Sequence, residues 1–162
     1  MKQTARLASA GANSAPRKKS RIHIRRAKLA DARHVAQLSG QLGYPATKKQ
    51  IIARMKRLTP ASQHAVFVAQ QHEVVIGWVH VTASRLLEVP PRAEINALIV
   101  DEAVRSGGIG ELLLQAAETW ARRAGCRGVS VRSNVIRERA HHFYQKNGYE
   151  HYKTQKAFRK KI

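Results

Sequence analysis

The richest chemistry in the sequence lies in Val100-Asp101-Glu102-Ala103-Val104-Arg105-Ser106-Gly107-Gly108-Ile109-Gly110-Glu111. An apolar strand end runs through a glycine turn into a helix. The first turn of a helix has N–H groups without intrahelical partners, and the helix dipole adds positive potential there. Glycine admits positive φ and lets the backbone come close to a ligand. Such a turn suits an anion, with pyrophosphate as its natural occupant. Arg105 adds positive charge. Two common phosphate loops are excluded: no Gly-Lys-Ser/Thr follows, and no third glycine stands at 113 to complete Gly-x-Gly-x-x-Gly. A tight turn with no ligand is the competing reading of these residues alone.

Other reactive side chains are less organised. The eight histidines show no metal-ligand spacing, and His141 and His142 are adjacent, so they point different ways on a helix. No metal is expected. The one cysteine, Cys126, has no partner for an internal disulfide and reads as a small apolar residue between a helix and a strand.

The elements that must position the turn follow from periodicity. Ile22-His23-Ile24-Arg25 alternates as a strand. Asp31 is placed to cap a helix running to about Leu42, and Thr47 with Gln50 has capping-box spacing for a second helix. Strands are expected over 65–69, 74–81 and 94–100, with His72-Glu73 turning the chain between the first two. A helix over 110–124 carries Ile109, Leu112, Leu113, Ala116 and Trp120 on its packing face. A strand over 128–132, a helix over 138–146 ended by Asn147-Gly148, and a last strand over 149–158 complete the order β-α-α-β-β-β-α-β-α-β. Three consecutive strands followed by a β-α-β crossover imply a mixed α/β sheet flanked by helices.

Charge sets the tail apart. The chain has 30 Lys and Arg against 10 Asp and Glu, a net +20. Residues 1–28 hold nine basic residues and no acid, so the remainder carries 21 against 10. Residues 1–20 contain almost no large apolar side chain and read as a disordered basic tail before a domain over 21–162. Such a field attracts polyanions, nucleic acid included, in a nonspecific and salt-sensitive way. No apolar run is long enough to span a membrane.

Two segments together carry a resemblance. Arg105-x-x-Gly108-x-Gly110, following Leu98-Ile99-Val100, resembles the Gln/Arg-x-x-Gly-x-Gly/Ala acetyl-CoA signature of the GNAT superfamily of N-acetyltransferases. Ala140-His141-His142-Phe143-Tyr144-Gln145-Lys146-Asn147-Gly148-Tyr149 resembles that family's Ala-x-x-Phe-Tyr-x-x-x-Gly-Phe/Tyr segment. The similarity extends over roughly 22–158.

The resemblance implies a mixed, mostly antiparallel sheet of six to seven strands, splayed in the middle and flanked by about four helices. It implies a cytoplasmic enzyme that moves the acetyl group of acetyl-CoA to a primary amine of a small molecule or protein, in a ternary complex. Backbone groups of Leu98, Ile99 and Val100 would meet the pantetheine arm. Those of Arg105, Ser106, Gly107, Gly108, Ile109 and Gly110 would meet the pyrophosphate, with Asn134 as a further contact. Many relatives have Asn three residues before the position of Ala140, where this chain has Arg137. Tyr144 is the implied general acid.

Glu94 is the candidate base, because relatives often carry a carboxylate on this strand; some have it at the position of Asn96. Simple alternation puts Glu94, Asn96 and Leu98 on one face. His80 is a candidate for the acceptor cleft. The Leu42-Gly43-Tyr44-Pro45 loop and the 153–156 stretch resemble some aminoglycoside 6'-N-acetyltransferases, whose acidic clefts suit cationic drugs; this chain has ten acids in all. Family members often form dimers, so a homodimer is also expected. The alternative to an enzyme is a catalytically weak module of this fold that binds nucleic acid or another polyanion.

Overall fold

The computed structural model describes residues 21–58 and 63–162. The expected tail over 1–20 lies outside them. Nine elements follow: β1 (His23–Arg26), α1 (Ala32–Gln41), α2 (Lys48–Leu58), β2 (His64–Gln71), β3 (Val74–Ser84), β4 (Arg92–Val100), α3 (Ile109–Arg123), β5 (Val129–Val131) and α4 (Glu138–Lys146). The sheet order is β1-β2-β3-β4-β5. The first three pairings are antiparallel and β4–β5, joined by the crossover through α3, is parallel.

The sheet buries both faces. On one, α3 packs Ile109, Leu113, Leu114, Ala117 and Ala121 against Ala65, Ala69, Val79, Val81, Ala93 and Ile95. Burying Leu113 and Leu114 completely is worth about 2–3 kcal/mol each. The stripe is rotated from the one expected: Leu114, Ala117 and Ala121 face the sheet, whereas Leu112 is exposed and Ala116 and Trp120 sit at the margin. On the other face, α1 and α2 cover Val68, Val75, Trp78 and Ile99.

Local signals act as their chemistry dictates. Thr47 and Gln50 cap α2 reciprocally, at 3.2 and 2.9 Å. His72 and Glu73 turn the β2–β3 hairpin with both φ values positive. Gly148, at φ +82°, ends α4, where Tyr149 N–H returns to Tyr144 O at 3.0 Å.

Three expectations need correction. Asp31 does not cap α1 through its side chain. It accepts the Lys28 N–H at 2.7 Å and both Nη groups of Arg25 at 2.8 Å, fastening β1 to the turn before α1. Burial pushes its carboxyl up, but the bonds from Arg25 and Lys28 outweigh burial and hold it below the usual range.

The strand expected over 149–158 is absent, which leaves five strands instead of six to seven. Residues 150–162 are exposed at every position. Neither alternation phase of 150–158 gathers an apolar face, since Tyr152 and Phe158 stand among Lys, Gln, Thr and His.

The third correction concerns β4. His80 pairs with Ala97 and Val81 with Ile95, so Asn96 is an extra residue. This bulge reverses the phase of the strand. Leu98 therefore packs on the α3 side with Ile95, away from the face that carries Glu94.

Candidate active site

The glycine turn is braced before it opens. Asp101 accepts the Ala103 N–H at 3.0 Å and caps a single 3₁₀ turn over Glu102–Val104. Gln41 of α1 accepts the Glu102 N–H at 3.1 Å. Arg105 folds back, its Nε donating to Val100 O at 3.1 Å and its Nη2 lying 3.0 Å from Glu102. Its guanidinium thus ties the turn to the end of β4, and its contribution to an anion is the backbone N–H.

Ser106 and Gly108 take positive φ, +72° and +77°. Such values strain most side chains, and glycine removes the strain at Gly108, the cap of α3. Among the described residues no hydrogen bond uses the N–H of Arg105, Ser106, Gly107, Gly108, Ile109 or Gly110. Beyond its chain neighbours, nothing lies within 4 Å of where a Cβ on Gly108 would stand. Gly110 is constrained from the other side, because a Cβ there would sit 3.1 Å from the Phe143 ring of α4. The two segments of the sequence resemblance therefore meet in space.

Beside this turn the sheet opens. β4 and β5 pair over three positions, Ala93–Val129, Glu94–Ser130 and Ile95–Val131, and then part. Ala97 through Val100 continue without a strand partner on that side, which is where Leu98, Ile99 and Val100 were expected to present backbone groups. Across the gap, Ser133 Oγ is buried with no hydrogen-bond partner. Asn134 Oδ1 accepts the Ile136 N–H at 3.2 Å, so its amide shapes the loop, leaving Nδ2 uncommitted among the described residues. The unpaired amides, the parted strands and the orphaned Ser133 hydroxyl suit a coenzyme with a diphosphate and an amide-bearing arm.

Tyr144 stands on α4 between Phe143 and Tyr149, with ring centroids 5.2 and 5.6 Å away. Burial pushes its phenol up to about 12, with Arg137 opposing the rise. No hydrogen bond among the described residues occupies its hydroxyl. Tyr149, by contrast, donates to Glu118 Oε1 at 3.1 Å. Tyr144, Arg132, Ser133 and Asn134 line an open cleft of about 1440 Å³ between β5, α4 and the C-terminal segment. The glycine turn and Glu94 lie outside its lining, and the exposed C-terminal segment makes it broad.

Glu94 is on the opposite face of the sheet from α3, and Arg132 donates to its carboxylate through Nε. Asn96 Nδ2 donates to Thr82 Oγ1 at 3.1 Å. Farther along this face His80 stacks on His64, centroids 5.7 Å apart. Burial, then His64, lowers His80 to about 4, so its imidazole is neutral at pH 7. The structure thus sets Gly110 of the turn beside Leu98 and Phe143, puts Asn134 and Tyr144 in the cleft between β5 and α4, and leaves Glu94 among the paired positions of β4 and β5. The sequence reading missed Arg132, Ser133 and the His64–His80 stack. None lies in a motif, and each acquires its place only through strand register. Among the described residues no group of three or more His, Cys, Asp or Glu could hold a metal, and no helix is long and apolar enough to cross a membrane.

Comparison with known proteins bears on the fold and the family. An uncharacterized N-acetyltransferase of Bacillus subtilis is 45% identical over 50 residues, 31% of this chain and 35% of that protein. An aminoalkylphosphonate N-acetyltransferase of Salmonella typhimurium is 39% identical over 66 residues, 40% of this chain and 43% of that one. Each match thus spans less than half of the relative's length. The crystal structure of an aminoglycoside N-acetyltransferase in complex with CoA superposes with a TM-score of 0.81 over 91% of this chain and 99% of that one, at 21% identity, a likeness of fold. Residues 33–149 match the profile of the Acetyltransferase (GNAT) family, and the chain belongs to that family.

Proposed function

We propose that the protein is an acetyl-CoA-dependent N-acetyltransferase that acts on a primary amine. The reading rests above all on the run of unpaired amides from Arg105 to Gly110 at the mouth of the β4–β5 opening. Acetyl-CoA supplies a thioester, an acyl donor whose diphosphate would meet those amides and whose arm would follow Leu98, Ile99 and Val100. Two of the proteins named above act on aminoalkylphosphonates or aminoglycosides by their names, which supports an amine as acceptor.

The chain's residues divide the proton traffic. The attacking nitrogen must hold a free lone pair, so a base must take its proton. Glu94, at the edge of the opening, is assigned that role, directly or through one water. Tyr144 faces the other end of the reaction. A phenol held near 12 keeps its proton at neutral pH and donates a hydrogen bond to the departing sulfur. It acts as a donor to developing charge, since a thiol is a stronger acid than this phenol.

An acceptor screen that follows release of free thiol from acetyl-CoA tests the reading. Wild type should release thiol with at least one class of amine, and Tyr144→Phe should release it much more slowly at unchanged CoA affinity. A chain that binds no CoA at physiological salt would refute it.

A further inference from the structure

The face opposite α3 is only half covered. α1 and α2 close over Val68, Val75, Trp78 and Ile99, toward the end of β4. The other half carries polar side chains whose register is fixed. Glu94 stands opposite Thr82 on β3 and opposite Ser130 on β5. Ala93 and Ile95 pack with α3, so Arg92 shares the face of Glu94. Val129 and Val131 pack with α3 as well, so Arg132 points to that same face.

Charge on this surface is unequal. Glu94 is the only acidic residue in the five strands. Its carboxylate is already engaged by Arg132. A polycationic acceptor would give up water for carboxylates and find none free on these strands. Arg132 spends only Nε on Glu94, and its side chain is 78% exposed. Its two Nη groups make no bond among the described residues. A guanidinium edge with two parallel donors matches the paired oxygens of a carboxylate, phosphate or phosphonate. Arg92, with no ion-pair partner among the described residues, adds positive potential on the same side.

Position strengthens the case. Arg132 follows Val131, the last residue of β5 paired with β4. An anion held there lies at the entrance of the opening, with Glu94 beside it. A molecule with an oxyanion at one end and an amine at the other could place its nitrogen near the base while its anion sits on the arginine.

We infer that the acceptor is a primary amine that also carries an oxyanion, and that Arg132 is the residue that selects it. This inference rests on the acetyl-transfer reading above. Arg132 is a specificity-determining residue; the chemistry stays with Glu94 and Tyr144.

The test uses the full chain, saturating acetyl-CoA and a matched series of short primary amines. The chains end in a carboxylate, a phosphonate, a neutral amide or a second ammonium. The expected result is a kcat/KM about tenfold or more higher for the anionic amines, and the two anionic arms tell a planar oxyanion from a tetrahedral one. Arg132→Gln should raise KM for anionic amines about tenfold and leave KM for the neutral amine unchanged, any change in kcat from freeing Glu94 being shared by every amine, with Arg132→Lys recovering part of the KM loss. Equal or faster turnover of the neutral or dicationic amine overturns the inference. So does an Arg132→Gln effect on KM that is uniform across the series, with CoA affinity and thermal midpoint as controls for folding. If CoA binds but no amine of any arm is acetylated, the acetyl-transfer reading itself fails.

Discussion

β3 and β5 flank the same strand and treat it in opposite ways. β3 meets β4 in antiparallel register from Gly77–Val100 to Ser84–Arg92, interrupted only by the bulge at Asn96. β5 meets it at three positions and leaves. On the β3 side the backbone is satisfied by the protein and covered by α3, with Val79, Val81, Ala93 and Ile95 essentially without exposure. On the β5 side Leu98 to Val100 have no strand partner, and the six amides from Arg105 to Gly110 find no partner among the described residues. An exposed strand edge is a hazard that proteins normally cover or charge. Here it is kept beside a helix N-terminus, and the economical explanation is a ligand that completes it.

Substitutions can break this contrast from either side. The largest effect is expected on the closed side. Leu113→Ala removes a fully buried side chain beneath β3 and should cost about 3–4 kcal/mol of stability by urea titration. Next comes the open side. Gly108→Asp puts a carboxylate and a strained positive φ in the turn, and calorimetry should show CoA affinity lowered about a hundredfold, roughly 3 kcal/mol, with a smaller change in stability. A Gly108→Asp chain that binds CoA normally would erase the distinction between the two flanks.

Tyr144→Phe sharpens it further. Loss of one donor to developing charge should reduce kcat by about 10–100-fold while CoA binding and the thermal midpoint stay close to wild type. The smallest effect concerns His80. Its imidazole is held near 4 when folded and near 6.5 when unfolded, so the unfolded chain binds the proton more readily between those values. Wild type should therefore lose stability as pH falls from about 6.5 to about 4, by about 1 kcal/mol once solvent screening is allowed for. His80→Gln should lose less over the same window.

The legibility of these two flanks in the sequence differs for the same physical reason. The paired strands announce themselves through apolar alternation, and 65–69, 74–81 and 94–100 fall inside β2, β3 and β4. The glycine turn and α4 carry local motifs, readable in order, and the two segments meet where Gly110 approaches Phe143. What escaped depends on register. The bulge at Asn96 leaves no mark in composition, yet it moves Leu98 to the other face and reduces the shared face to Glu94 and Asn96. Arg132 acquires meaning only because β5 is three residues long and ends just before it. The last expected strand is absent because the residues between Tyr152 and Phe158 supply no face to bury, and both side chains are exposed.

The most direct measurement is a titration of the labelled protein by NMR, following the backbone amides of residues 105–110 with CoA, with adenosine diphosphate and with pantetheine, which lacks the diphosphate. The account predicts large shifts of these six amides with CoA and with adenosine diphosphate, and little change there with pantetheine. Shifts that leave 105–110 untouched while CoA binds elsewhere would contradict it.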